Sequence, residues 1–161
     1  MSTPYQDVYD AFLSKITADD WAEGYDPNAA DADAVAAALY ASAQEDWRKI
    51  LENALPYFKF PAHSMKRGDE GFEETLSSEE IAIISEYMKI EWLNRTIATW
   101  ENVKVMYDER DWSPANLLKQ FISLLKESKE KAEDLERIYY RSVTNEDGYR
   151  KPFAYSNLAG K

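Results

Sequence analysis

The side chains able to do chemistry are few, and their spacing is poor for it. The chain has a single histidine, His63, and no cysteine. Without cysteine there is no disulfide framework, no thiolate nucleophile and no thiolate metal site. Without a second histidine there is no HExxH helix and no His-rich metal site. His63 sits in a charged stretch with no nucleophile nearby, and a histidine so placed reads as solvent-facing or structural. No serine stands in GxSxG, and no Ser–His–Asp logic emerges. The five glycines never take a phosphate-cradling spacing, which excludes a P-loop or a dinucleotide fingerprint. Asp108, Glu109 and Asp111 are the candidate cation cluster, but they close a helix and border a turn. Thirty acids among 161 residues also make such clusters common. Nothing positive supports a glycosidase carboxylate pair. The expectation is a protein that is not an enzyme and holds no cofactor and no metal.

The totals describe a folded chain with partners. At 161 residues there is one domain's worth of sequence, with an apolar share of 45% and an aromatic share of 14%. Eleven Tyr, six Phe and five Trp supply large amphipathic side chains that serve cores and interfaces alike. The net charge of −11 is uneven: residues 1–56 hold 11 acids and 3 bases, residues 57–138 hold 17 and 12, and the last 23 hold 2 and 4. An acidic body repels phosphate backbones, which argues against ordinary nucleic-acid binding. The oppositely charged tail is suited to another acidic surface, although acids also simply keep an aromatic-rich protein soluble. The first ten residues lack a basic region followed by an apolar run, and no stretch approaches a membrane span. An intracellular soluble protein with no membrane contact is the expectation.

The elements form around Leu76–Asp111. Ser77 and Glu80 make a capping box, each side chain satisfying a backbone N–H that the helix start leaves bare. Ile83, Tyr87, Ile90, Leu93, Ile97, Trp100, Val103 and Tyr107 then recur in steps of three and four, one stripe of a helix. A second set, Ile81, Ile84, Met88 and Trp92, lies to one side, so the helix touches neighbours on more than one face. This is the central spine. Before it, Thr3, Pro4 and Gln6 read as cap, first and third positions of a helix running to about Ile16. Residues 17–28 read as a connection anchored by Trp21. Ala29–Ala54 reads as an Ala-rich helix capped by Asp31 or Asp33 and ended by Pro56. LPYFKFP (Leu55–Pro61) favours extended backbone, its prolines framing Tyr57, Phe58 and Phe60. It reads as an aromatic plug that pins the following loop, about 56–75, to the core. Ser113 and Pro114 start another helix of about 28 residues, antiparallel to the spine, whose apolar stripe thins between Lys126 and Asp134. That thin part is expected to project or pack lightly. After Arg141 the helical period is lost, Asn145–Gly148 reads as a turn, and Tyr149, Phe153, Tyr155 and Leu158 lie on a segment that either folds back on its own body or inserts into a partner as an extended strand. The fold class is therefore all-α. It is a helical bundle built on a long central helix hairpin, with domain 1–141 followed by an extended arm, 142–161.

These residues resemble a family. LPYFKFP, a charged loop, then LSSEEIAIISEYMKIEWLNRTIATWENVKVMYDERDWSPANLL is similar to head–tail connector (neck) proteins of tailed bacteriophages. There, an apolar proline-framed segment precedes a long helix with an EWL-type stretch and a D[FW]S-x-AN-type turn. Tyr9–Trp21, YDAFLSKITADDW, fits the opening of the same pattern, and the resemblance covers roughly residues 5–125. It does not cover the acidic Ala-rich stretch at 26–44 or the tail.

The resemblance implies a structural virion protein assembled in the host cytoplasm. Connectors of this kind form a ring, typically of twelve copies, between the portal and the tail or a second neck protein. They extend a channel through which DNA passes without specific binding. Family members commonly dock a C-terminal arm on the portal, which here points to Tyr149, Arg150, Phe153, Tyr155 and Leu158. Tyr57, Phe58, Phe60 and Trp112 are the candidates for further interfaces. The alternative reading is an acidic inhibitor or DNA mimic that binds a basic host protein; an enzyme with unrecognised carboxylate chemistry is the other, and no spacing here suggests the pocket it would need.

Overall fold

The computed structural model describes residues 2–16, 31–104 and 112–142; for 100–104 and 112–115 it describes the backbone alone. In chain order the elements are β1 (Thr3–Pro4), α1 (Tyr5–Leu13), α2 (Ala32–Ala54), a 3₁₀ turn (Leu55–Tyr57), β2 (Gly71–Phe72), α3 (Ser78–Lys104) and α4 (Trp112–Ser142). The fold is all-α, the strands among the described residues being one two-residue antiparallel pair in which Thr3 faces Phe72 and Pro4 faces Gly71.

α3 begins as its capping box dictates. The Ser77 N–H donates to Glu80 Oε2 at 2.9 Å, and the Glu80 N–H donates to Ser77 Oγ at 3.2 Å. Its two apolar sets then face two sides. Ile83, Ile84, Met88, Ile90 and Leu93 are all buried, with Ile81, Tyr87 and Trp92 packed partly beside them. α1 and α2 close one side with Tyr5, Val8, Tyr9, Phe12, Trp47, Ile50 and Leu51, and α4 brings Tyr139 to the same cluster. Val8, Phe12, Ile50 and Leu51 are wholly excluded from water, each worth about 1.5–3 kcal/mol of apolar burial. α4 runs antiparallel to α3: Glu80 meets Tyr139, Tyr87 meets Glu136, Glu86 meets Lys131, and Trp92 meets Phe121. Residues 105–111 between them lie outside the described residues, as do Trp21, the Asp108–Asp111 cluster within that stretch, and the expected arm.

Six expectations need correction. The opening of LPYFKFP is not extended: Leu55–Tyr57 makes a 3₁₀ turn. Thr3 does not cap α1. It is buried in β1, where its hydroxyl accepts the Leu76 N–H at 2.8 Å, and Pro4 takes the cap position. α1 is also shorter than expected, ending at Leu13, while Ile16 still packs on the core. α2 starts at Ala32, with Asp31 at its cap position but no side-chain cap bond. The 56–75 stretch is a built connection rather than a plain loop: Gly71–Phe72 pairs with the N-terminus, and Arg67 bridges to Phe72. Finally, the middle of α4 does not project. Ser128 and Ala132 are 2% and 1% exposed, because small residues let the helix backbones approach where large apolar ones are missing.

Candidate functional site

One carboxylate organises the surface around the proline-framed segment. Glu80 is fully buried and takes five donors. Its Oε1 accepts from the Ala62 N–H (3.0 Å), the His63 N–H (3.1 Å) and Tyr139 Oη (2.7 Å). Its Oε2 accepts from the Ser77 N–H (2.9 Å) and pairs with His63 Nδ1 (2.6 Å). Burial pushes this carboxyl up, but the Ser77 N–H, the Tyr139 hydroxyl and His63 outweigh it and hold the group below its ordinary value. An ionised acceptor at Oε2 fixes the proton on His63 Nδ1. The Tyr139 hydroxyl also accepts the Ala62 N–H at 2.7 Å. Residues 62–63 are thereby riveted to the first turn of α3 and the last turns of α4. The lone histidine is structural on one side and, at 45% side-chain exposure, solvent-facing on the other.

With its far end fixed, the segment Leu55–Pro61 can present only certain rings. Phe58 turns inward, 4% exposed, with its edge on Tyr139 at 5.5 Å. It is a core residue and drops out of the interface candidates. Tyr57 and Phe60 turn outward and are 48% and 52% exposed. Tyr57 stacks on Tyr87 at 5.6 Å and 18°. Phe60 stands edge-on to Tyr140 at 6.0 Å. Tyr87 and Tyr140 share one acceptor, donating to the two oxygens of Glu136 at 2.7 and 3.2 Å. Tyr57, Tyr87, Glu136, Tyr140 and Phe60 are therefore one connected patch across α3, α4 and the 3₁₀ turn. Glu91 borders it and, by charge and hydrogen bond, raises the Tyr57 hydroxyl. Burial first, then Glu136, pushes the Tyr87 hydroxyl far above its usual value; burial and the Glu136 charge do the same at Tyr140. These phenols stay neutral donors, and Glu136 keeps its acceptor role.

The patch offers flat rings half open to water, set on a rigid frame, with carboxylates at the edge. Rings of this kind gain by stacking and by receiving cations. A second buried carboxylate, Glu86, is paired by charge with three lysines. Lys131 and Lys15 lie 3.0 and 3.1 Å from its Oε2, and Lys89 lies 3.8 Å from Oε1. Burial pushes this carboxyl up, and Lys131 and Lys15 more than offset it, so it too lies below its ordinary value. It ties the end of α1 to both long helices. Among the described residues, no group of three His, Asp or Glu is placed to hold a metal ion. No helix there is long and apolar enough to cross a membrane.

Of the residues expected to bind partners, Tyr57 and Phe60 come together. The Trp112 side chain and Tyr149, Arg150, Phe153, Tyr155 and Leu158 lie outside what is described. Sequence reasoning missed Tyr87, Glu91, Glu136 and Tyr140. The signal available was the i,i+4 pairing of Tyr with Glu on each long helix, Tyr87 with Glu91 and Glu136 with Tyr140. Comparison with protein-family models, with curated proteins and with solved structures finds no match.

Proposed function

We propose that this chain is a structural subunit of a tailed-phage neck. It would form a ring between portal and tail that extends the DNA channel, with Tyr57 and Phe60 facing a partner. The observation that supports this reading most is the fate of LPYFKFP, the segment that opens the resemblance. It is anchored at Phe58 and at residues 62–63, yet holds two aromatic rings about half exposed. Keeping rings in water on so rigid a support suits residues that a partner will cover. The long helix pair α3 and α4 supplies the frame, and the acidic N-terminal third suits a channel wall, because phosphates meet like charge there.

The test is binding to a portal ring by sedimentation, with wild type and with a Tyr57→Ala/Phe60→Ala variant. The reading expects wild type to co-sediment at fixed stoichiometry and the variant to lose at least about tenfold in affinity, as for a hot-spot pair. If neither protein associates with a portal and wild type instead captures a basic host protein, the inhibitor reading replaces this one.

A further inference from the structure

We propose that a cleft at the start of α1 binds a small zwitterion, an α-amino acid with an apolar or aromatic side chain. The ligand's carboxylate lies on Arg48 and the Tyr9 hydroxyl, and its ammonium group on Asp69 and Glu70. This site shares no residue with the Tyr57–Phe60 patch and does not depend on the connector reading.

The start of α1, the middle of α2 and residues 69–70 enclose a cleft of about 420 Å³, inside the range of about 300–1,000 Å³ usual for small ligands. Backbone bonds set its shape. The Tyr5 N–H donates to the Glu70 carbonyl at 3.1 Å, and the Tyr5 hydroxyl donates to the Gly68 carbonyl at 2.9 Å. The loop is therefore held against α1 before any ligand arrives. Tyr5 and Tyr9 form the apolar part of the wall, 7% and 4% exposed, with ring centroids 6.2 Å apart and planes within 22°. Two rings side by side suit an apolar or aromatic side chain.

The polar groups of the wall fall into two sets of opposite charge. On α2, Arg48 lies over the Tyr5 ring at 5.8 Å. Its ion pair is with Glu52 at 3.7 Å, and Arg67 approaches that same carboxylate more closely, at 3.1 Å. The Arg48 guanidinium thus keeps donors for a carboxylate ligand. Tyr9 points to the same end. It is almost wholly buried and lines the cleft, yet no group among the described residues bonds its hydroxyl. Burial pushes that hydroxyl up to about 12, while the Arg48 charge pulls against the shift, so the phenol stays a neutral donor near the guanidinium. A buried donor without an acceptor is costly, and a carboxylate would relieve it. The second set is acidic. Asp69 and Glu70 have no ion pair among the described residues, whereas Glu45, the other acid of the wall, is held by Lys49 at 2.8 Å. A simple anion would meet Asp69 and Glu70, and a simple cation would meet Arg48. A ligand with both charges satisfies both ends, and an α-amino acid is a small ligand of that kind that also brings a side chain to the rings.

Isotope-labelled full-length protein would be titrated with L-phenylalanine, N-acetyl-L-phenylalanine and L-phenylalanine amide, and the backbone amide signals followed by NMR. The proposal expects saturable shifts at Gln6, Tyr9, Gln44, Arg48 and Glu70 with L-phenylalanine. Each blocked analogue lacks one charge and should bind at least about tenfold more weakly. Tyr9→Phe keeps the ring and removes a hydroxyl that the fold does not use. It should melt no lower than wild type and bind L-phenylalanine at least about tenfold more weakly. Arg48→Gln, at an exposed position, reads the same carboxylate contact a second way and should erase the preference for the free acid over its amide. No saturable shift up to about 10 mM ligand would overturn the proposal. So would a blocked analogue that binds as well as the free amino acid, or two variants that both bind like wild type. None of these results bears on portal binding, so the connector reading is tested separately.

Discussion

Glu80→Gln is the perturbation whose size follows most directly from the geometry. The substitution is nearly isosteric, so it leaves no cavity. It replaces one of two acceptor oxygens with an amide that can only donate. If the amide stands at Oε2, the Ser77 N–H and His63 Nδ1–H face a donor. If it stands at Oε1, the Ala62 N–H, His63 N–H and Tyr139 hydroxyl do. At least two donors are stranded either way, each costing about 1–3 kcal/mol when buried. His63 is half open to water, which softens its share, so the loss should be about 3 kcal/mol. For a domain of this size that lowers the melting temperature by roughly 6–12 °C. Urea unfolding followed by circular dichroism gives the value, with His63→Ala as reference because it removes one partly exposed donor and should cost about 1 kcal/mol. A loss below about 1 kcal/mol for Glu80→Gln, or equal losses for the two variants, would refute the view that this carboxylate rivets the segment.

Three further outcomes follow from other parts of the fold. Ala132→Leu should destabilise by about 1–3 kcal/mol, because the larger side chain enters the close α3–α4 contact; an unchanged melting temperature would return the middle of α4 to the surface. Gly71→Ala puts a Cβ 2.2 Å from the Thr3 carbonyl oxygen and 2.8 Å from Pro4 Cα, both backbone atoms. β1 and β2 must then part, and amide exchange at Thr3 and Leu76 should quicken; protection equal to wild type would contradict the pairing. Acid should unfold the protein through Glu80 and Glu86, whose folded values lie below the ordinary 4.5. Their contribution is complete above about pH 4.5 and fades as pH falls through the folded values, so the acid limb should lie below that point and flatten in Glu80→Gln. A stability curve that is level from pH 5 down to 2 would show that neither carboxylate is held ionised by the fold.

Much of the frame was legible because it is local. The capping box at Ser77 and Glu80 needs residues three apart, and the double stripe of Ile83, Ile84, Met88, Ile90 and Leu93 is written in steps of a helical turn. What was not legible is what distant segments do to those residues. As a cap, Glu80 uses one of its five donors; the others arrive from residues 62, 63 and 139. Thr3 has the chemistry of a cap and the neighbours of one, yet a two-residue strand has no period to announce that β2 will claim it. In α4, the shortage of large apolar residues between Lys126 and Asp134 points in sequence to a lack of packing. Ser128 and Ala132 show the opposite, since a helix approached closely needs small side chains at the contact. The patch was half visible: LPYFKFP signals aromatic density, but only the tertiary fold decides that Phe58 goes in while Tyr57 and Phe60 stay out.

The most direct test of the connector reading is mass by light scattering, on wild-type protein alone and after mixing with a candidate portal ring. The reading predicts a small species alone that joins the portal at a fixed, high copy number, adding mass in steps of the 18.6 kDa subunit. A stable monomer that leaves the portal's mass unchanged at every ratio would contradict it.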